Sequence, residues 1–462
     1  MTDLSTIIKA YDVRGLVPEQ LDAGIARDIG AAFARVSGAR RSDHGSGAVV
    51  IGHDMRPSSP ELVAAFADGV AGQGVDVVEM GLASTDELYF ASGHLGLPGA
   101  MFTASHNPAQ YNGIKMCRAG ATPIGQDSGL AEIRSLAEGH VATDVVQDAQ
   151  RGTVTTRDLL PEYASYLHGL VPLAGSRPLT VVVDAGNGMA GHTVPAVFAG
   201  LPFTVIPMYF ELDGTFPNHE ANPLDAANVR DLQASVLEHG ADLGLAFDGD
   251  ADRCFVIDER GVIVAPSDLT ALIAVRELAK HPGATIIHNL ITSWSVPEVV
   301  REHGGVPVRT RVGHSFIKAQ MAETGAVFGG EHSGHFYFSD FWNADSGLLA
   351  ALHCLAALGE TPAGTTLSSL LAPYQRYVAS GEINSTVADQ TASAAAVRRA
   401  FASRPGVTVD DLDGMTVAGA DWWFNLRPSN TEPLLRLNAE ARDAATMGSV
   451  RDEVLAIVRA AA

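Results

Sequence analysis

Asp248-Gly249-Asp250-Ala251-Asp252-Arg253 places three carboxylates at alternate positions, with a guanidinium directly after them. Acids this close repel one another unless a cation neutralises them, and an all-oxygen donor set suits a hard divalent ion such as Mg²⁺ or Ca²⁺. Apolar runs flank the segment, Leu243 to Phe247 before it and Cys254 to Ile257 after it, so it reads as a tight loop between two strands. An EF-hand loop is a competing reading, with Glu259 at its twelfth position. Arg253 stands where such a loop needs glycine, and the flanks look like strands where it needs helices. A solvated acidic hairpin tip without metal is the other alternative.

Ser105, in Thr103-Ala104-Ser105-His106-Asn107-Pro108, follows the apolar stretch Pro98 to Phe102, which puts it on a loop just beyond a strand. Nucleophiles of α/β folds commonly stand there. The G-x-S-x-G elbow is missing, so nothing points to acyl transfer, and capping a turn is the ordinary role of such a serine. Lys115 is an ordinary surface lysine unless it finds a partner. Gly329 to His335 offers Glu331, Ser333 and His335 on a glycine-flexed backbone, a set suited to a polyhydroxylated ligand. Arg427, Ser429, Asn430 and Thr431, with Arg436 beyond them, make a composition suited to a phosphate dianion. An ordinary turn is the alternative for each.

Together and in this order, the four segments resemble the signature motifs of the α-D-phosphohexomutase family, in its phosphomannomutase/phosphoglucomutase branch. The resemblance runs from Lys9-Ala10-Tyr11-Asp12-Val13-Arg14-Gly15 to Arg436. It implies a mutase that interconverts hexose 1-phosphate and 6-phosphate, of mannose and/or glucose, through a hexose 1,6-bisphosphate that also serves as activator. In proteins like this the serine matching Ser105 carries the phosphoryl group, and Mg²⁺ joins it to the residues matching Asp248, Asp250 and Asp252. Arg14, Lys115 and His335 then lie where a proton moves at the sugar hydroxyl, with the choice of base among them open. Arg253 helps neutralise charge. Glu331, Ser333 and His335 match residues that hold the sugar, and Arg427, Ser429, Asn430, Thr431 and Arg436 belong to the loop region that holds the phosphate not being transferred. The basic stretch from Arg309 to Lys318 reads as a loop whose His314 and Lys318 help hold phosphate; a solvated basic loop is its alternative.

Departures from the family bear on substrate preference. Thr85-Asp86-Glu87 stands where relatives usually carry Thr-Pro, and His332 occupies a variable position of the sugar loop. The phosphoglucosamine mutase branch typically has glycine at the place of Ala251 and glutamine at that of His332, which ranks that activity second. From other classes, a phosphosugar phosphatase and a noncatalytic phosphosugar sensor remain as readings.

Positioning these loops requires strands that end beside them. Val49 to Asp54, Val181 to Gly188 and Thr285 to Asn289 are β-branched runs that end in polar or glycine residues, each followed by a helical stretch. The clearest helix has Ser59 as N-cap, Pro60 at the first helical position and Leu62, Val63, Phe66 and Val70 on one face. Three such units predict three mixed α/β domains with catalytic loops at strand ends, and the resemblance adds a smaller C-terminal α+β domain around a central cleft. The expected limits are 1–150 for the phosphoserine loop, 151–257 for the metal loop, 258–370 for the sugar loop and 371–462 for the phosphate loop. Pro/Gly-rich joints near Pro172 to Pro178 and after Gly359 accompany them.

Composition is that of a core-forming chain: 462 residues, 46% hydrophobic and 18% charged. A formal net charge of −22 disfavours nucleic acid and anionic membrane as partners and requires a locally positive site for a phosphorylated hexose. Cys117, Cys254 and Cys354 show neither CxxC nor other zinc spacing, which fits a reducing compartment. No basic-then-apolar leader is visible and the longest apolar helix candidate, Leu348 to Leu358, is too short to span a bilayer. A cytoplasmic monomer or weak homodimer is the expectation.

Overall fold

The computed structural model describes residues 3–9, 11–39, 47–143, 150–428 and 434–460, with all side chains there except those at 314 and 315. The chain divides into two compact units, Met1–Val264 with Ser333–Ser369, and Ala265–His332 with Leu370–Ala462.

In the first unit, one sheet runs from edge to edge through Val13–Leu16, Tyr111–Arg118, Gly99–Phe102, Ala48–His53, Asp76–Leu82 and Val154–Thr156. Its centre is parallel, and Tyr111–Arg118 turns antiparallel between Gly99–Phe102 and Val13–Leu16. Val49, Val50 and Ile51 are buried in succession, as a strand covered on both faces requires. The helices Ala23–Val36 and Ser59–Ala71 touch backbone to backbone. A Cβ on Gly69 would lie 2.1 Å from the Arg27 carbonyl oxygen, and one on Gly30 would lie 2.2 Å from that of Phe66. Leu62, Val63, Phe66 and Val70 are buried as their spacing predicts. Ser59 is not the cap: it opens the helix after the N-cap Ser58, which makes no side-chain cap bond, and its own hydroxyl donates to Asp54 Oδ1 at 2.9 Å.

A second sheet orders Cys254–Asp258, Leu243–Phe247, Leu179–Asp184 and Phe203–Met208. The first two strands form the expected antiparallel hairpin around the acidic loop, and the others add in parallel. The Pro172 to Pro178 joint lies inside this unit, with Arg177 N donating to the Gly359 carbonyl at 2.9 Å. The hairpin Phe336–Phe338 and Ala344–Asp345 leads into the wholly buried helix Gly347–Gly359, capped by Ser346 Oγ. No helix among the described residues is long and apolar enough to cross a membrane.

In the second unit, Thr285–Asn289 lies between Val306–Thr310 and Phe328–Gly330, all parallel, accompanied by the helices Pro266–Lys280, Ser295–Glu302 and His314–Thr324. The basic stretch from Arg309 to Lys318 is therefore not one loop. Arg309 and Thr310 end a strand, residue 314 opens a helix, and only residues 311–313 connect them. The C-terminal part is an antiparallel sheet in the order Val378–Thr386, Leu434–Ala441, Trp422–Pro428, Met415–Ala418, Thr408–Asp410, with Gln390–Phe401 and Ala444–Ala460 packed on it around Phe401, Phe424 and Val454. Each of the three β-branched openings does become a strand followed by a helix.

Candidate active site

Ser105 leaves the strand Gly99–Phe102 with φ 50°, a left-handed backbone that a serine holds only when its surroundings enforce it. Arg56 supplies much of that enforcement. Only 1% exposed, its guanidinium donates to the carbonyls of Ser105, Asn107, Pro108 and Tyr111 at 2.8–2.9 Å. It also pairs with Asp54 at 3.0 Å. Ser105 N donates to Thr103 Oγ1 at 2.8 Å. The serine hydroxyl is thereby aimed at the acidic loop, where it donates to Asp248 Oδ2 at 2.7 Å, and it lies 3.1 Å from His106 Nδ1. The two loops meet without side chains between them. A Cβ on Gly249 would stand 2.5 Å from the Ser105 carbonyl oxygen, so the position admits only glycine.

The acidic loop is held from several directions. Ala251 takes φ 61°. Thr85, at the start of the helix Thr85–Leu95, donates its N–H to the Asp250 carbonyl at 3.0 Å and its hydroxyl to Asp250 Oδ2 at 2.6 Å. Lys115 Nζ bridges Asp250 Oδ2 at 2.7 Å and Asp252 Oδ2 at 2.6 Å. Arg253 donates to Asp248 through its backbone N–H at 3.1 Å and Nε at 2.9 Å. Burial pushes the Asp248 carboxyl up to about 7 against the pull of Arg253, with Asp252 and Asp250 adding to the rise. Asp250, equally buried, is instead held well below the usual carboxylate range by Lys115 and Thr85. Burial, helped by the charges of Arg253 and Arg14, keeps the His106 imidazole far below its ordinary value and so neutral.

A cation fits this donor set. One ligand atom each of Asp248, Asp250 and Asp252 lies within 4.8 Å of the others. Asp250 Oδ1 and Asp252 Oδ1 are buried and accept no hydrogen bond, a costly state that an ion relieves. The EF-hand reading fails, because the Glu259 carboxylate turns away to accept from Ser368 N at 3.0 Å and Ser368 Oγ at 2.5 Å.

The first unit also brings Arg14 to the serine loop, donating to Asn107 Oδ1 at 2.5 Å and Asp12 Oδ2 at 2.6 Å. His335 pairs through its backbone with Arg253, and its Nδ1 lies 3.0 Å from Ser333 Oγ. In the second unit, Glu331 is 2% exposed and accepts from Gly313 N at 3.1 Å. Lys318 is buried on the helix His314–Thr324; His314 is placed by its backbone alone. Arg427 and Arg436 stand opposite each other on adjacent strands and meet at Glu382, at 3.1 and 3.2 Å. Against a desolvation that would raise it, Arg436 and Arg427, with His332 beyond them, hold the Glu382 carboxyl low. Ser429, Asn430 and Thr431 lie outside the described residues.

Arg56, Thr85 and Glu382 were not singled out from the sequence as site residues. Arg56 and Thr85 had a signal, since both stand just beyond a strand end, as Ser105 does. Glu382 had none.

A buried serine bonded to an acidic loop that could hold a cation, with a lysine across two of its carboxylates, is an arrangement suited to phosphoryl transfer. Family models match along the chain: phosphoglucomutase/phosphomannomutase alpha/beta/alpha domain I at residues 5–141, domain II at 161–261, domain III at 266–377 and the C-terminal domain at 382–457. The chain is 41% identical to a phosphomannomutase of Escherichia coli, covering 99% of this chain and 100% of the relative. It is 40% identical to a Xanthomonas campestris protein named phosphohexose mutases, covering 98% of each. The crystal structure of a phosphoglucomutase/phosphomannomutase family protein from Burkholderia thailandensis matches with a TM-score of 0.86 at 35% identity, covering 99% of this chain and 97% of that one. The chain belongs to the phosphoglucomutase/phosphomannomutase family. A member of this family is a phosphohexose mutase, an isomerase.

Proposed function

We propose that this enzyme interconverts the 1-phosphate and 6-phosphate of a hexose, mannose and/or glucose, through a phosphoserine at Ser105 and a hexose 1,6-bisphosphate intermediate. The observation that carries the reading is the 2.7 Å bond from Ser105 Oγ to Asp248 inside the acidic loop. Phosphorylating that oxygen adds a charge of about −1.5 to −2 beside three carboxylates, which a cation must offset. Asp248, Asp250, Asp252 and the Ser105 phosphoryl would hold Mg²⁺, which when bound neutralises charge on the transferring oxygens.

The chain's own residues do the rest. As the phosphorus–Oγ bond of Ser105 breaks, a bond forms from phosphorus to O1 or O6 of the sugar; the hydroxyl proton leaves that oxygen and a proton reaches the departing Ser105 Oγ, a movement that Arg14, Lys115 and His335 assist, with the choice of base among them open. Lys115 and Arg253 offset charge beside the reacting group. Glu331, Ser333 and His335 hold the sugar; Arg427, Ser429, Asn430, Thr431 and Arg436, with His314 and Lys318, hold phosphate. The bisphosphate then turns over and returns its other phosphoryl group to Ser105, so added hexose 1,6-bisphosphate activates by priming the serine. We place the enzyme in the cytoplasm as a monomer or weak homodimer. Its net charge of −22 supports a reading without nucleic-acid or membrane partners.

A ³¹P NMR time course with Mg²⁺ and a trace of glucose 1,6-bisphosphate tests this on mannose, glucose and glucosamine 1-phosphates. Conversion of the first two to 6-phosphates is expected. Preference for glucosamine 1-phosphate would make it a phosphoglucosamine mutase, and release of inorganic phosphate a phosphatase.

A further inference from the structure

Asp252 belongs to two donor groups. Besides the acidic loop, it forms a second cluster with His335 and Asp345, in which one ligand atom of each residue lies within 4.8 Å of the others. The backbone builds this cluster. Arg253 pairs with His335, Cys254 N donates to the Gly334 carbonyl at 3.2 Å, and Asp345 returns opposite Tyr337 on the short hairpin that begins just after His335. His335 Nε2 lies 3.7 Å from Asp252 Oδ1 and 3.9 Å from Asp345 Oδ2. Its Nδ1 faces Ser333 Oγ at 3.0 Å. In the tautomer that donates from Nδ1–H to that oxygen, the Nε2 lone pair faces the carboxylates, the orientation common to metal-binding histidines.

Asp252 is 1% exposed and Asp345 3%. Asp252 Oδ2 accepts from Lys115, whereas Oδ1, the atom facing His335, is buried and accepts no hydrogen bond. One imidazole nitrogen and two carboxylates form a borderline donor set, unlike the all-oxygen loop beside it. Zn²⁺ binds such atoms at about 2.0–2.2 Å, which sets tetrahedral ligands about 3.4 Å apart. The two separations at His335, 3.7 and 3.9 Å, need to close by only a few tenths of an ångström, and the two carboxylates lie within 4.8 Å of each other.

We propose that Asp252, His335 and Asp345 form a second cation site, for a borderline divalent metal such as Zn²⁺, with Asp252 bridging it to the acidic loop. Three protein ligands leave a fourth position open to water or a ligand oxygen. Occupation takes up the His335 nitrogen. Resting on the mutase reading, that removes His335 from proton movement, and Zn²⁺ inhibits turnover in a way that excess Mg²⁺ does not relieve.

The test is binding rather than turnover, so its failure is distinct from failure of the mutase reading. Zn²⁺ is titrated calorimetrically into the full chain at saturating Mg²⁺, for the wild type and Asp345→Asn, and Zn²⁺-soaked crystals are measured at the zinc absorption edge. Wild type should bind one Zn²⁺ with Mg²⁺ in place, and an anomalous peak should lie among the three side chains. Asp345→Asn should bind Zn²⁺ on the order of 10–100-fold more weakly with its Mg²⁺ affinity kept. Zn²⁺ that enters only by displacing Mg²⁺, equal affinity in the variant, or no binding at all overturns the proposal. The wild-type anomalous map decides even if the variant does not fold.

Discussion

Ser105 and Arg427 both meet phosphoryl groups in the proposed reaction, yet their surroundings differ in kind. Ser105 is 5% exposed, fixed in a left-handed backbone, gripped through its carbonyl by Arg56 and bonded through its hydroxyl to Asp248. Arg427 and Arg436 sit on adjacent inner strands of their sheet, where they share one carboxylate, Glu382. The difference separates two tasks. Bond-making groups are aligned beforehand by buried neighbours, which lowers the barrier to reaction. On the proposed mechanism, the ligand-holding groups begin with Glu382 as a substitute anion that the ligand's phosphate would replace, a contact that would set affinity.

Substitutions should divide along the same line. Ser105→Ala should lower kcat by on the order of 10³-fold or more while leaving the melting temperature in place; near-normal turnover would remove the serine from the mechanism. Arg427→Ala loses a charge-assisted bond to phosphate, so steady-state kinetics should show KM raised about 10-fold or more with kcat little changed. An effect on kcat alone would erase the distinction between the two regions.

Glu87 probes the stability of the serine side. Burial, with Asp86 adding, pushes its carboxyl up to about 8, and Oε2 accepts no hydrogen bond. The folded state therefore holds a proton that the unfolded state releases above the ordinary glutamate value of about 4.5. The stabilisation is fully present below that value and is lost as pH rises through about 8. Glu87→Gln mimics the protonated form, so thermal melts should show it gaining about 1–3 kcal/mol on the wild type between pH 5 and pH 9; parallel pH profiles would refute this. The smallest effect is expected at Glu382→Gln, which removes the substitute anion and should lower KM a few-fold, by roughly 0.5–1 kcal/mol. A raised KM would mean that Glu382 positions the two arginines instead.

Legibility followed contiguity. Ser105, Lys115, Asp248, Asp250, Asp252 and Arg253 stood out because their chemistry is packed into short segments, and the flanking apolar runs marked the strands that carry them. Arg56 and Thr85 reach the same place from other strand ends, and only the sheet order makes them neighbours. Ser59 was misread as a cap because its hydroxyl answers to Asp54, a partner that local spacing cannot weigh against capping. The stretch from Arg309 to Lys318 looked like a loop because its charges hid a strand end and a helix start, where Lys318 is 4% exposed. Glu382 stands within a mostly exposed strand, Val378–Thr386, and becomes notable only when Leu434–Ala441 and Trp422–Pro428 bring two guanidiniums to it.

Arg56 makes the serine loop intolerant of sequence drift. One planar fork serves four carbonyl oxygens that lie on both sides of the Pro108 turn. A lysine, with three donors on a single atom, cannot span them. Any replacement removes its bonds to several carbonyls of one loop at once, so the loss is collective, and no second change elsewhere restores it piecemeal. Ser105 varies at the expense of one reaction, whereas Arg56 varies at the expense of the loop itself.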